Sequence, residues 1–196
     1  MAEWRLALIT GPTSEPISSA EAKVHLRVTH TNDDTYIATL ITAARRFAEE
    51  STNRRFVNQT WDMFTESGFP REIVVPYPPL VSVTSIKYYD CSNTERTLGT
   101  SYYEVVSACE PGRIKEAYGY SWPNTLGGRY QNVTVRFLCG YGTATNAVPS
   151  DIQHAMKLLV GHWYEHREEI SDGKTLSRVP VAAESLLRMH WVPEFA

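Results

Sequence analysis

The stretch from Val148 to about Ile170 constrains this chain more than any other. Val148-Pro149-Ser150-Asp151-Ile152-Gln153 reads as a helix start. Ser150 is placed to accept from the amide of Gln153 while the Gln153 side chain reaches back, and Asp151 sits in the first turn, where the helix dipole favours an anion. Pro149 ends whatever precedes it. Ile152, Ala155, Met156, Leu159, Trp163, Tyr164 and Ile170 then recur at three- and four-residue steps, so one face is apolar for roughly five turns and must be buried. Leu158 and Val160 widen that face. Gly161 sits mid-helix, where it costs about 1 kcal/mol against alanine unless another backbone packs closely there. The pattern predicts a central helix contacted on more than one side.

The same helix carries His162-x-x-Glu165-His166, the letter pattern of an inverted zinc-protease site. Two histidines four residues apart share one helical face and can hold a zinc ion, with the intervening glutamate as general base. A catalytic zinc needs a third protein ligand. After His166 the chain offers only Glu168, Glu169, Asp172, Glu184, His190 and Glu194, with no second long helix to present one. The residues are therefore read without a metal, a cofactor or a catalytic group, and the histidines as half-buried or solvated passengers.

With 196 residues the chain is long enough to bury a sizeable interior, and nothing in it forces two domains. A net charge of -3 and a pI near 6.1 argue against a protein whose main task is to grip phosphates, so protein partners are favoured over nucleic acid. Cys91, Cys109 and Cys139 are odd in number and lack CxxC spacing, which argues against a disulfide framework and for a reducing compartment. The start Met1-Ala2-Glu3-Trp4-Arg5 has no charged segment followed by a long apolar core. No apolar run approaches the roughly 18 residues of a membrane span, so no export signal and no membrane is expected.

In chain order, Trp4 to Thr10 is β-prone, an edge strand or an arm, and Gly11-Pro12 stops it. Ser18 with Glu21 makes a capping box for a short helix from Ala20 to Val28, with Ala22, Leu26 and Val24 inward. His25 and His30 flank it without a partner pattern. A cap at Thr31-Asn32-Asp33-Asp34 opens a second long helix whose stripe is Ile37, Leu40, Ile41, Ala44, Phe47, Ala48 and Ser51, running to about Asn53. Arg45, Arg46, Arg54 and Arg55 lie near its end, where the dipole favours cations. From Gln59 to about Thr143 the pattern is of strands: Thr60–Thr65, Glu72–Val75, Val81–Tyr88, Tyr102–Val106 and Val133–Phe137. Tyr77-Pro78-Pro79 is a rigid connector, and turns are marked by Glu110-Pro111-Gly112 and Leu126-Gly127-Gly128. Ser121-Trp122-Pro123 fixes an aromatic in a loop, and Gly140-Tyr141-Gly142 reads as a strand end. After Ile170, Ser171-Asp172-Gly173-Lys174 is a flexible polar break. Pro180 precedes a last short helix, Val181 to His190, with Ala182, Leu186, Leu187 and Met189 apolar. The aromatic tail Trp191-Val192-Pro193-Glu194-Phe195-Ala196 either packs on its own core or serves as a docking peptide.

The expected fold class is α+β. Two long helices with short terminal helices form a helical core over about 17–56 and 149–190, and a β-rich insertion occupies about 57–145 between the long helices. Leu159, Gly161, Trp163 and Tyr164 are expected to form the structural core of the helix that follows Pro149.

Several blocks, in this order and spacing, resemble a family of phage head-tail connector (adaptor) proteins that also occurs in phage-derived gene transfer agents. Ile17-Ser18-Ser19-Ala20-Glu21-Ala22-Lys23-Val24-His25-Leu26-Arg27-Val28 is similar to the family's ISLAEAKxHLRV opening. The later blocks are Asp33-Asp34 to Ile41, Gln59-Thr60-Trp61, Pro78-Pro79-Leu80-Val81-Ser82-Val83, Glu110-Pro111-Gly112-Arg113, Ser121-Trp122-Pro123, Val135-Arg136-Phe137 with Gly140-Tyr141-Gly142, and Leu159 through Glu165. The resemblance covers nearly the full chain, read as one connector domain over 1–196. It implies a non-enzymatic, structural subunit that forms a ring, typically of twelve copies in that family, beneath the portal of a DNA-filled head. It also implies a place in the neck of the virion, assembly from bacterial cytoplasm, and a histidine after Glu165 that is optional.

The implied partners are the portal protein above, the next neck protein (stopper) or tail below, other copies of the chain at the sides, and duplex DNA passing through the bore without sequence-specific binding. A mildly acidic subunit suits such a conduit, because a basic bore would hold the phosphates. The C-terminal segment over about 181–196 is expected to be the portal-docking element, through Leu186, Leu187, Met189, Trp191 and Phe195, and to be dispensable for folding. No long coiled-coil seam is evident, so ring formation is expected to be induced by the portal. The alternatives are another neck or tail module, a stopper or tail terminator, and a zinc hydrolase using His162 and His166.

Overall fold

The structure, a computed structural model, describes residues 3–144, 147–167, 170–171, 174–175 and 180–193, with the side chains of 170, 171, 174 and 175 outside that description. It is a mixed α/β protein with antiparallel sheets and four helices among the described residues. Two compact units are present, one holding residues 3–12, 58–141 and 193, the other 13–57 and the described part of 142–192. No helix among the described residues is long and apolar enough to cross a membrane.

The first unit is β-rich. Strand β1 (Arg5–Thr10) pairs with β2 (Gln59–Thr65), and the five-stranded sheet continues through β8 (Val133–Cys139) and β4 (Leu80–Tyr89) to β5 (Glu95–Thr97). A three-stranded sheet joins β3 (Ile73–Val75), β7 (Gly112–Glu116) and β6 (Tyr103–Val106). The central strand β8 shows why the sheet forms: Val133, Val135, Phe137 and Cys139 are buried and alternate with half-buried residues, the period-2 signature of one covered face. These side chains, with Met63 and Ile86 of the same sheet and Ile73, Val75 and Ile114 of the other, make one apolar core. On the outer surface Arg136 donates two hydrogen bonds of 2.7 Å to the directly opposite Asp62.

The N-terminal segment settles as an edge strand, so the β-rich unit draws on chain from before the first helix as well as on the span between the long helices. Two strands of this unit escaped the sequence pattern. β5 is Glu-Arg-Thr with all three side chains exposed, so it has no apolar alternation to read. β7 begins at Gly112, inside what reads as a turn, and that glycine is needed for packing: a Cβ there would lie 2.4 Å from Leu80 Cδ2 and 2.9 Å from Leu80 Cβ.

The second unit is helical: α1 (Ser19–Leu26), α2 (Asp34–Thr52), α3 (Ser150–Glu165) and α4 (Val181–Arg188). The α1 capping box is complete, with Ser18 Oγ accepting from the Glu21 amide and Glu21 accepting from the Ser18 amide. Ala22 faces inward and Leu26 is half-buried, but Val24 is 80% exposed. It lies on the outer side of an eight-residue helix that has only one buried position.

On α2 the stripe Ile37, Leu40, Ile41, Ala44 and Ala48 is buried, and Phe47 is half-buried. Ser51 is exposed and its place inside is taken by Thr52, which donates back to the Ala48 carbonyl. Arg45 and Glu49 are buried too. Arg45 bonds Glu49 at 2.9 Å and Glu15 at 2.8 Å, and Glu49 also accepts from the Phe56 amide. Burial pushes the Glu49 carboxyl up, against the opposing pull of the Phe56 amide and of Arg45 and Arg55. Arg54 and Arg55 are buried rather than spread along the helix end as dipole cations, and Arg55 pairs with Glu50 at 3.0 Å.

The helix α3 buries Ile152, Ala155, Met156, Leu159 and Val160. Two boundary expectations need correction. Pro149 rather than Ser150 is the N-cap, and the Gln153 side chain reaches back to the Val148 carbonyl at 2.9 Å. The helix ends at Glu165 instead of continuing to Ile170, because Glu165-His166-Arg167-Glu168-Glu169 offers no apolar side chain to bury. Beyond it, β9 (Ile170–Ser171) pairs with β10 (Lys174–Thr175), so Ser171 and Lys174, the two ends of the segment read as a polar break, lie opposite each other in a small ladder.

Candidate functional site: the C-terminal end of the helical unit

The residues singled out in the sequence fall at two places in the helical unit. Leu159 is fully buried, and Trp163 and Tyr164 are half-buried. Trp163 stacks edge-on against Phe47 of α2 at 6.1 Å, and Tyr164 lies 6.1 Å from Tyr36. What approaches Gly161 is a side chain and not a backbone: an added Cβ would meet His25 Nε2 at 3.4 Å. His162 and His166 have their rings 5.0 Å apart at the end of α3. Among the described residues no three His, Cys, Asp or Glu side chains converge on one point.

The second place is α4 and the residues just after it. Pro180 precedes the helix, and Ala183 and Leu187 are the side chains it buries, at 0% and 2% exposure. The helical stripe is thus Ala183 and Leu187, with Ala182 outside. Leu187, expected to meet a partner, is 2% exposed and packs inward. Leu186 is half-buried, whereas Met189 and Trp191 are 66% and 56% exposed. Phe195 lies outside the described residues. Phe47 and Ser51 of α2, Glu184, Leu187 and Arg188 of α4, and Trp191 line an open groove of about 750 Å³.

The chain after α4 is fastened to the rest of the unit. His190 Nε2 lies 2.6 Å from Asp151 Oδ2 in the first turn of α3. Arg54 donates to the His190 carbonyl at 2.6 Å, the Val192 amide donates to the Thr52 carbonyl at 3.1 Å, and Asn53 Nδ2 donates to the Val192 carbonyl at 2.8 Å. Burial pushes the Asp151 carboxyl up, but the His190 ring and the Ile152 amide outweigh it and hold it below its ordinary value. Sequence reading missed this set because its members stand 136 to 139 residues apart for the α2 end and 39 apart for the histidine. The adjacent arginines after α2 were the one visible signal.

Comparison with known proteins follows the same lines. The model of the head completion protein family matches residues 15–182. In fold the chain is similar to a chain from the neck of an empty gene transfer agent particle computed with C6 symmetry, at 22% identity and a TM-score of 0.78, covering 98% of this chain and 97% of that one. A chain of the virion of a native gene transfer agent particle gives 20%, 0.76, 97% and 97% for the same quantities. A chain from the neck of the native particle computed with C12 symmetry gives 20%, 0.74, 98% and 97%. No curated protein matches the sequence. With more than half its length matched by the family model, the chain belongs to the head completion protein family.

Proposed function

We propose that this head completion protein is the adaptor of its particle, a ring-forming subunit seated directly below the portal. As a member of its family it is a structural subunit of the head-tail connection in the neck of a phage or phage-like virion. The observation that carries the finer reading is the family match over residues 15–182 together with a fold shared along 97–98% of the chain with neck and virion chains of gene transfer agents. Twelve copies would give the ring the symmetry in which one of those necks was computed. Its role is structural and not catalytic.

Within each subunit, the helical segments over about 17–56 and 149–190 form the core that carries the ring, and the β-rich part over about 57–145 elaborates it. The portal docks at the C-terminal end of the helical unit, where Leu186, Met189 and Trp191 are accessible. The next neck protein binds below and duplex DNA passes through the bore, the net charge of -3 keeping the subunit from holding phosphates strongly. Electron microscopy of the purified protein, alone and mixed with portal, tests this. Rings that appear on the portal and nowhere else are expected; a ring that forms on the tail side and ignores the portal would make the protein a stopper or terminator.

A further inference from the structure

We propose that residues 189–192 form a latch that holds the backbone around Trp191 in one conformation, with Asp151, Asn53 and Arg54 as its positioning residues. The proposal rests on the reading that this end of the helical unit meets the portal, and it adds how the contact residue is held before the partner arrives.

Four fastenings bear on two residues. His190 is held through its ring by Asp151 and through its carbonyl by Arg54. Val192 is held through its amide by the Thr52 carbonyl and through its carbonyl by the Asn53 side chain, and its own side chain is only 6% exposed. His190 and Val192 are turned inward on these bonds, while Trp191 between them is 56% exposed. The fasteners belong to two different helices, the start of α3 and the end of α2, so the segment is fixed in position as well as in conformation.

The end of α2 is built for this. Asn53 adopts φ 54° and closes the helix with its own amide, which leaves its side chain free to turn to Val192. The Thr52 carbonyl, one of the groups a helix end leaves without a helical partner, takes its hydrogen bond from the Val192 amide. A large aromatic held this way meets its partner with the ordering of its backbone already complete, which is what distinguishes a preformed anchor from a loose tail.

Hydrogen exchange on the full-length protein reads the latch directly. In the native protein the Val192 amide should exchange at least about 100-fold more slowly than in an open chain. The double variant His190→Ala with Asn53→Gly keeps the left-handed conformation at position 53 and removes two fastenings. It should lose that protection, retain the protection of α2 and α3, and bind isolated portal about tenfold more weakly. Trp191→Ala should abolish portal binding while leaving Val192 protected and the melting temperature unchanged, a split that a merely structural role would not give. An unprotected Val192 amide in the native protein would overturn the latch, as would undiminished portal binding by the unlatched variant. Native protein that protects Val192 yet ignores the portal would leave the latch standing and remove the portal reading.

Discussion

The hydroxyl of Tyr164 donates to the Asp33 carboxylate at 2.5 Å, joining the last turn of α3 to the residue that precedes α2. Arg167 closes the group, 3.5 Å from the same carboxylate and with its guanidinium 4.7 Å from the Tyr36 ring centre. The bond from Tyr164 is the main cause that holds the Asp33 carboxyl below its ordinary value, and the carboxylate in turn raises the Tyr164 phenol.

Stability should therefore depend on this pair at both ends of the pH scale. A lowered carboxyl contributes stability that is present above its unfolded value of 3.8 and is lost as pH falls through the folded value. A raised phenol contributes stability that is present below its unfolded value of 10.0 and is lost as pH rises through the folded one. Tyr164→Phe should lower the melting temperature between those limits and converge on the native protein beyond them. Thermal melts of both proteins across the pH range check this, and parallel curves would show the bond to be without weight.

The buried pair of Arg45 and Glu49 makes the opposite kind of contribution. Glu49 is raised by burial, so its ionised form is costly, and the associated stability is present below 4.5 and lost as pH rises through the folded value. Arg45→Met leaves that carboxyl without its guanidinium and should cost about 3–5 kcal/mol. Adding Glu49→Leu should recover much of the loss, because an apolar pair avoids the desolvation that the ions suffer. Urea denaturation of the single and double variants measures both.

Gly112→Ala should destabilise the β-rich unit by about 1–3 kcal/mol, the usual range for forcing extra volume into a packed interior. The added methyl meets Leu80 at its Cβ as well as at its chain end, so a rotamer change alone does not clear the space. Chemical denaturation followed by circular dichroism reads the change.

Gly161→Ala should do the reverse. Its nearest neighbour is the His25 ring at 3.4 Å, on an exposed residue that is able to yield, while alanine gains about 1 kcal/mol of helix propensity over glycine. A higher melting temperature is the expected result, and a fall of several degrees would show that the space at Gly161 is required.

Ending the chain after Pro180 removes Ala183, Leu187 and Val192 from the interior of the helical unit. Truncating a buried leucine alone costs about 2–5 kcal/mol, and the deletion also removes the bonds from His190 and Val192 to α2 and α3, so the shortened protein should fail to hold its helical unit. A cooperative melt and dispersed amide spectrum from the truncated chain would show instead that α4 is an appendage.

What the sequence determined by itself is whatever depends on near neighbours along the chain. The capping box at Ser18, most of the apolar stripes of α2 and α3 and the alternation of β2 and β8 are local patterns, and these elements appear where their periods placed them, Ser51 and the last turn expected of α3 excepted. The ordered blocks from Ile17 to Glu165 carried the family in the same way, because block order survives without knowledge of contacts. The tertiary structure decided where distant residues meet. Only packing put the β1 strand at a sheet edge, turned Leu187 inward while leaving Trp191 outside, and stopped α3 at Glu165. Charge was the least legible. The sequence shows Arg45, Arg54 and Arg55 near a helix end, and nothing local says that they are buried beside Glu49 and the tail. Burial and pairing of an ion are set by groups far away in sequence, and a period-based reading cannot see them.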